Sequence, residues 1–149
     1  MARYDKYDPI SGGFRAPLAA NLTPSSTGEF GPKAVSLDNT GRVVVGTAGT
    51  TGLVGILVKN APRLPVGPAS LISDRGYNAA APIGLMAGDV VDVMTSGEIV
   101  DLAGAGITGL AAGQPIYTTA AGALTNVATG NTKVGYTVEA DRMIVRIAA

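Results

Sequence analysis

Apolar residues along this chain come in short runs separated by glycine, proline or polar turns. The runs lie at 35–37, 43–45, 53–59, 89–94, 98–102, 116–118, 123–127, 133–138 and 143–147. They are rich in Val, Ile, Thr and Tyr, residue types that fit a pleated, half-buried surface, so each predicts a strand. The chain holds 21 Gly and 9 Pro, and apart from 136–149 no segment free of both exceeds eight residues. A mean helix needs about 11, so helices are nearly excluded.

Several runs face each other across turn sequences. VSLDNTGRVVV turns at 38–41, VVDVMTSGEIVDL at 95–97, IYTTAAGALTNV at 119–122 and TVEADRMIVRI at 139–142. In each, glycine or a small polar residue supplies the backbone angles that a tight hairpin requires. The predicted fold is all-β: a small antiparallel β barrel or sandwich of short strands and hairpins, with little or no helix. A weak internal echo links VSLDNTGRVVVGTAGTTGLVG to IYTTAAGALTNVATGNTKVG, with Gly41 matching Gly122 and Gly49 matching Gly130. Duplication would produce it, but convergence on common turn chemistry is the simpler reading of glycine-rich hairpins.

Residues 1–33 lack any sustained period. Pro9, Pro17, Pro24 and Pro32 punctuate isolated apolar anchors, Tyr4, Tyr7, Ile10, Phe14, Leu18 and Phe30. They read as an extended N-terminal arm ahead of a β-rich domain at 34–149. Aromatic anchors at such spacing suit a strap that docks on a partner, or one that wraps its own barrel.

Composition narrows the chemistry. At 149 residues the chain fits one domain with an arm and can bury a core without staples. Cys, His and Trp are all absent, which removes disulfides, thiolate zinc sites, cysteine nucleophiles and every Ser/His/Asp triad. Lys and Arg number 11 against 11 Asp and Glu, so no basic field attracts nucleic acid or an anionic membrane. Charged residues make up 15%, below the roughly 25% of a typical soluble domain, and a surface so poor in charge is expected to meet another protein. No apolar run approaches the roughly 20 residues of a membrane span, and the charged MARYDKYDPI is unlike a signal peptide. Synthesis and retention in the cytoplasm of the producing cell are the expectation. The sequon at Asn21 is a chance match without secretion.

Two motifs invite chemistry. GAGITG at 104–109 spells the GxGxxG of dinucleotide-binding turns, but Gly113 and Pro115 end any helix that would hold phosphate, and the next acid is Glu139. It reads as a glycine-rich connection in which the chain leaves one strand and re-enters at Gln114, with no cofactor. The acid cluster of GDVVDVMTSGEIVD is the other. A turn at 95–97 would pair Met94 with Glu98 and Asp92 with Val100, placing Asp92 and Glu98 diagonally on one face, about 7–8 Å apart. Such a pair could serve a metal-dependent hydrolase. A solvated face, or a seat for a partner's cation, is the simpler reading, so no catalytic or metal residue is assigned.

At 35–58, VSLDNTGRVVVGTAGTTGLVGILV carries Leu37-Asp38, Arg42 before an apolar pair, Gly49-Thr50-Thr51 and Val54-Gly55-Ile56-Leu57. This arrangement resembles the lambda-type phage head-decoration proteins. AGDVVDVMTSGEIVDL, GLAAGQPIYTTAAGALTNVATGNTKVGYTVE and MIVRI are similar to a broader group of small phage capsid-decoration, or cement, proteins. The resemblance implies a structural virion protein, not an enzyme. It would sit as a homotrimer on the outer capsid surface at threefold and quasi-threefold sites, bridging major capsid proteins and stabilising the expanded shell. It also implies an arm ordered on the capsid, whose candidate contacts here are Arg3, Tyr4, Tyr7, Ile10, Phe14, Arg15 and Leu18. Segment 62–82 looks like an insertion relative to the lambda pattern. A tail or fibre subunit of the same virion would share the β-rich, low-charge signature, and the hydrolase built on Asp92 and Glu98 is the enzymatic alternative.

Overall fold

The computed structural model describes residues 12–22, 32–57, 85–100, 102–103 and 107–147. The segment 62–82 therefore lies outside it, as do Phe30, Gly104 and Gly106. Ten strands and no helix appear among the described residues. They are β1 (Gly13–Pro17), β2 (Lys33–Leu37), β3 (Val43–Val45), β4 (Leu53–Leu57), β5 (Val90–Met94), β6 (Ser96–Val100), β7 (Pro115–Thr118), β8 (Leu124–Thr125), β9 (Thr132–Glu139) and β10 (Arg142–Arg146). The nine expected strands are all present within a few residues of their predicted positions. β1 is the addition, and it falls within the stretch read as an arm.

Two five-stranded antiparallel sheets form the body, ordered β1-β5-β4-β2-β3 and β6-β10-β9-β7-β8. Period-two alternation sorts the side chains between faces. In the first sheet Phe14, Ala16, Val35, Val43, Leu57, Val91 and Val93 share one core with Leu18. That sheet curls until its edge strands meet, where Leu18 bridges Val43 and the Ala19 N–H donates to the Val43 carbonyl at 2.9 Å. Its opposite face turns Ile56, Leu53 and Met94 into a second core built on Ile116, Val134, Met143 and Val145 of the second sheet, with Leu102 and Leu110 closing it. The outer side of the first sheet thus covers the inner side of the second.

Three of the four expected hairpins form. At the β2–β3 turn the Asp38 N–H donates to the Arg42 carbonyl at 2.9 Å, and Gly41 takes a φ of 78°. At the β7–β8 turn the Gly122 N–H donates to the Thr119 carbonyl at 2.9 Å. β9 and β10 join across Ala140 and Asp141 with a bulge at Arg142. The hairpin expected at 95–97 does not form, because β5 pairs with β1 and β4 and β6 pairs with β10. Both edges of β5 are taken, so the chain crosses from one sheet to the other through Thr95. The Thr95 and Ser96 N–H groups donate to the Gly12 carbonyl at 2.6 and 3.1 Å, and the Thr95 carbonyl accepts from Ile147 at 3.1 Å.

The two sheets repeat one topology. In each, the fifth strand lies between the first and fourth, and the second lies between the fourth and third. The bulge of β2 against β4 falls between Val35 and Ser36, and that of β7 against β9 between Ile116 and Tyr117. Gly55 faces Val35 as Gly135 faces Ile116. Convergent turn chemistry accounts for matching glycines in two hairpins but not for matching bulges and a matching fifth strand. The echo is therefore one part of a repeated five-strand unit, a correction to the reading as convergence.

Candidate interaction surface

Residues 13–18 belong to this chain's own first sheet. Phe14 packs against the first core, and Leu18, a candidate contact of the arm, is 1% exposed within it. Its side chain holds β1 in place. Arg15 points outward and its Nε donates to Asp92 Oδ1 at 2.6 Å. Arg3, Tyr4, Tyr7 and Ile10 lie outside the described residues. Alternation of Phe14, Ala16 and Leu18 across GFRAPL was the available signal for β1, masked by Pro17 and the flanking glycines.

The carboxylates Asp92 and Glu98 do not share a face of one hairpin. Asp92 stands on the first sheet beside Arg15, whereas Glu98 stands on the second, accepting from Arg142 Nη1 at 2.8 Å. Arg142 also reaches Glu139 Oε1 through Nη2 at 3.2 Å. These pairs are exposed and staple neighbouring strands, each contributing roughly 0.2–1 kcal/mol. Among the described residues, no three acidic side chains come together in a way that could hold a metal ion. No described helix is long and apolar enough to cross a membrane. Of GAGITG, Ile107 to Gly109 are described: the Ile107 N–H donates to the Leu102 carbonyl at 3.0 Å, and Gly109 takes a φ of 73°. No helix follows before β7, in keeping with a glycine-rich connection.

The surface that distinguishes the molecule is the outer face of the second sheet. Register places Pro115, Tyr136, Ile144 and Glu98 in one row across β7, β9, β10 and β6. Tyr136 is 39% exposed, Val138 39% and Val100 65%. Lys133, Gly135, Tyr136, Arg146 and Ile147 line an open groove of about 450 Å³ at the end of β9. An apolar and aromatic sheet face of this kind, interspersed with cations, fits a protein partner better than a small molecule. Sequence patterning marks Tyr136 and Val138 as alternating with buried neighbours, but which face meets solvent depended on where the first sheet packs.

Comparison with known proteins adds the family. A family model described as structural cement protein (E217 gp24/Pam3 gp6) matches residues 4–148. A solved structure from Mycobacterium phage Patience is similar in fold, with a TM-score of 0.62 at 21% identity, covering 97% of this chain and 95% of that one. No curated protein matches.

Proposed function

From the premise that this chain belongs to the structural cement protein family (E217 gp24/Pam3 gp6), we propose that it sits as a homotrimer at threefold and quasi-threefold positions on the outer capsid surface, bridging neighbouring major capsid proteins. The coarser role is that of the family: a structural protein of the phage virion that stabilises the capsid. The family match across nearly the whole chain carries the reading. The fold supports it physically. A cement protein resists internal pressure by spreading weak contacts over subunit joints, so its affinity comes from area and multivalency rather than from one deep pocket. Two antiparallel sheets, few charges and an open apolar face suit that task.

Residues 1–11, with Arg3, Tyr4, Tyr7 and Ile10, are the proposed arm contacts with the major capsid protein; Phe14 and Arg15 continue the path along β1. The test is a capsid-binding assay on expanded shells lacking the protein. The full chain binds and raises the temperature at which the shells rupture. Deleting residues 1–11 weakens binding at least about tenfold, as loss of a few aromatic anchors would, while the melting transition of the free protein is unchanged. Full-strength binding by the truncated chain would refute the arm contact, and absence of binding by the intact chain would refute the capsid role. The double change Asp92→Asn with Glu98→Gln leaves capsid binding intact; loss of a hydrolytic turnover in that variant would instead revive the enzymatic alternative.

A further inference from the structure

We propose that the outer face of the second sheet, centred on Tyr136, is a self-association surface covered by a second copy of this chain. The repeated topology supplies the argument. In the first sheet Ala34, Ile56 and Met94 form one row across β2, β4 and β5. Pro115, Tyr136 and Ile144 form the corresponding row across β7, β9 and β10. The two rows have opposite fates. In the first sheet the row is the seat of the second half: Ile56 is fully buried in the second core with Met94 packed against that core, and the Ala34 N–H donates to the Gly122 carbonyl at 2.8 Å. In the second sheet the corresponding row faces solvent at Tyr136.

The exposed apolar side chains follow the same division. Among the described residues the large exposed hydrophobics are Val90, Val100, Val127, Tyr136 and Val138, and all but Val90 lie in the second half. Tyr136 stands at the position of Ile56. Val127, 54% exposed, follows its hairpin as Gly46 follows the other, and Gly46 is where the β7–β8 turn at Ala120 meets the first half. The first half thus shows what this face of the unit does when occupied: it receives another five-strand unit of the same fold. Among the described residues no third unit covers the second copy of that face, and another molecule of this chain carries such a unit. An exposed tyrosine with exposed valines on the same sheet face is the composition that anchors such contacts.

This inference deepens the trimer reading by naming the contact, and its test is separate from capsid binding. Sedimentation of the purified full chain should show association that Tyr136→Glu and Val100→Glu each weaken at least about tenfold, the effect of placing a charge in an apolar contact. Val90→Glu, at the most exposed hydrophobic of the first half, should associate like the parent chain. Circular dichroism and melting temperature confirm that each variant is folded, since all three positions are on the surface. A parent chain that stays monomeric up to about 0.5 mM, where even weak specific contacts register, overturns the proposal, as does undiminished association of Tyr136→Glu and Val100→Glu. If the parent is monomeric and Tyr136→Glu loses capsid binding, the face belongs to the major capsid protein: self-association is refuted and the capsid role stands. Association that Tyr136→Glu weakens, in a parent chain that binds no capsid, upholds self-association and refutes the capsid role.

Discussion

At the scale of single residues, the turns and the buried polar groups carry the sharpest tests. The Asp38 carboxylate accepts from the Arg42 N–H at 2.9 Å and from the Thr40 hydroxyl and N–H at 2.7 and 2.8 Å. The bond from the Arg42 backbone, then that from the Thr40 side chain, hold its pKa below the ordinary carboxylate value. A depressed folded-state pKa means that this contribution to stability is complete above the unfolded value and is lost as pH falls through the folded one. In a pH series of thermal melts, Asp38→Asn should therefore differ from the parent near neutrality and converge with it in acid. Thr137 acts differently. Its buried hydroxyl donates to the Ala111 carbonyl at 2.6 Å and accepts from the Gln114 N–H at 2.9 Å, pinning the loop that leads into β7. Thr137→Val orphans both backbone groups and should cost about 1–3 kcal/mol in chemical denaturation. Two turn glycines separate in the same way. Gly41 and Gly122 both have positive φ, but a Cβ at Gly41 meets nothing, whereas one at Gly122 would lie 2.6 Å from the Ala34 carbonyl. Both alanine variants incur backbone strain of about 1 kcal/mol, and Gly122→Ala should be the more damaging. Asp38 and Gly41 were readable as a turn from their spacing; the constraints on Gly122 and Thr137 were not, because they come from residues distant in sequence.

At the scale of elements, strands were legible and their partners only in part. Local hairpins at 38–41, 119–122 and 139–142 follow from turn chemistry, which acts over four residues. TSG at 95–97 carries similar chemistry and does something else, since β5 already has a neighbour on each edge and a strand has only two edges. The consequence is testable. Asp92 and Glu98 have different arginine partners, so the effects of Asp92→Asn and Glu98→Gln on unfolding free energy should add to within about 0.5 kcal/mol in a double-mutant cycle; coupling well beyond that would point to a shared hairpin face. β1 was hidden because GFRAP offers a single short alternation beside proline. Removing residues 1–22 deletes β1 and Leu18 and uncovers Val91 and Val93 of the first core. That truncation should lower the melting temperature severely, whereas loss of residues 1–11 should leave it unchanged.

At the scale of the whole molecule, two units of one topology are joined face to back, and Ile56 is the side chain at their joint. Ile56→Ala removes a fully buried side chain from the second core and should cost about 2–5 kcal/mol in unfolding free energy. The same position in the second unit is occupied by Tyr136, which is free to serve a partner. The succession of short β-branched runs between turns determined from sequence alone that this is an all-β protein, and the absence of His and Cys removed the triads and thiolate sites that need them. Composition and local alternation act through neighbours along the chain, so they are written in the sequence. The tertiary structure alone decided that the acid pair is split between sheets, that GFRAP is a strand, and which outer face is covered and which is open. Those outcomes depend on edges and faces being filled by segments far apart in the chain, a competition that no local pattern records.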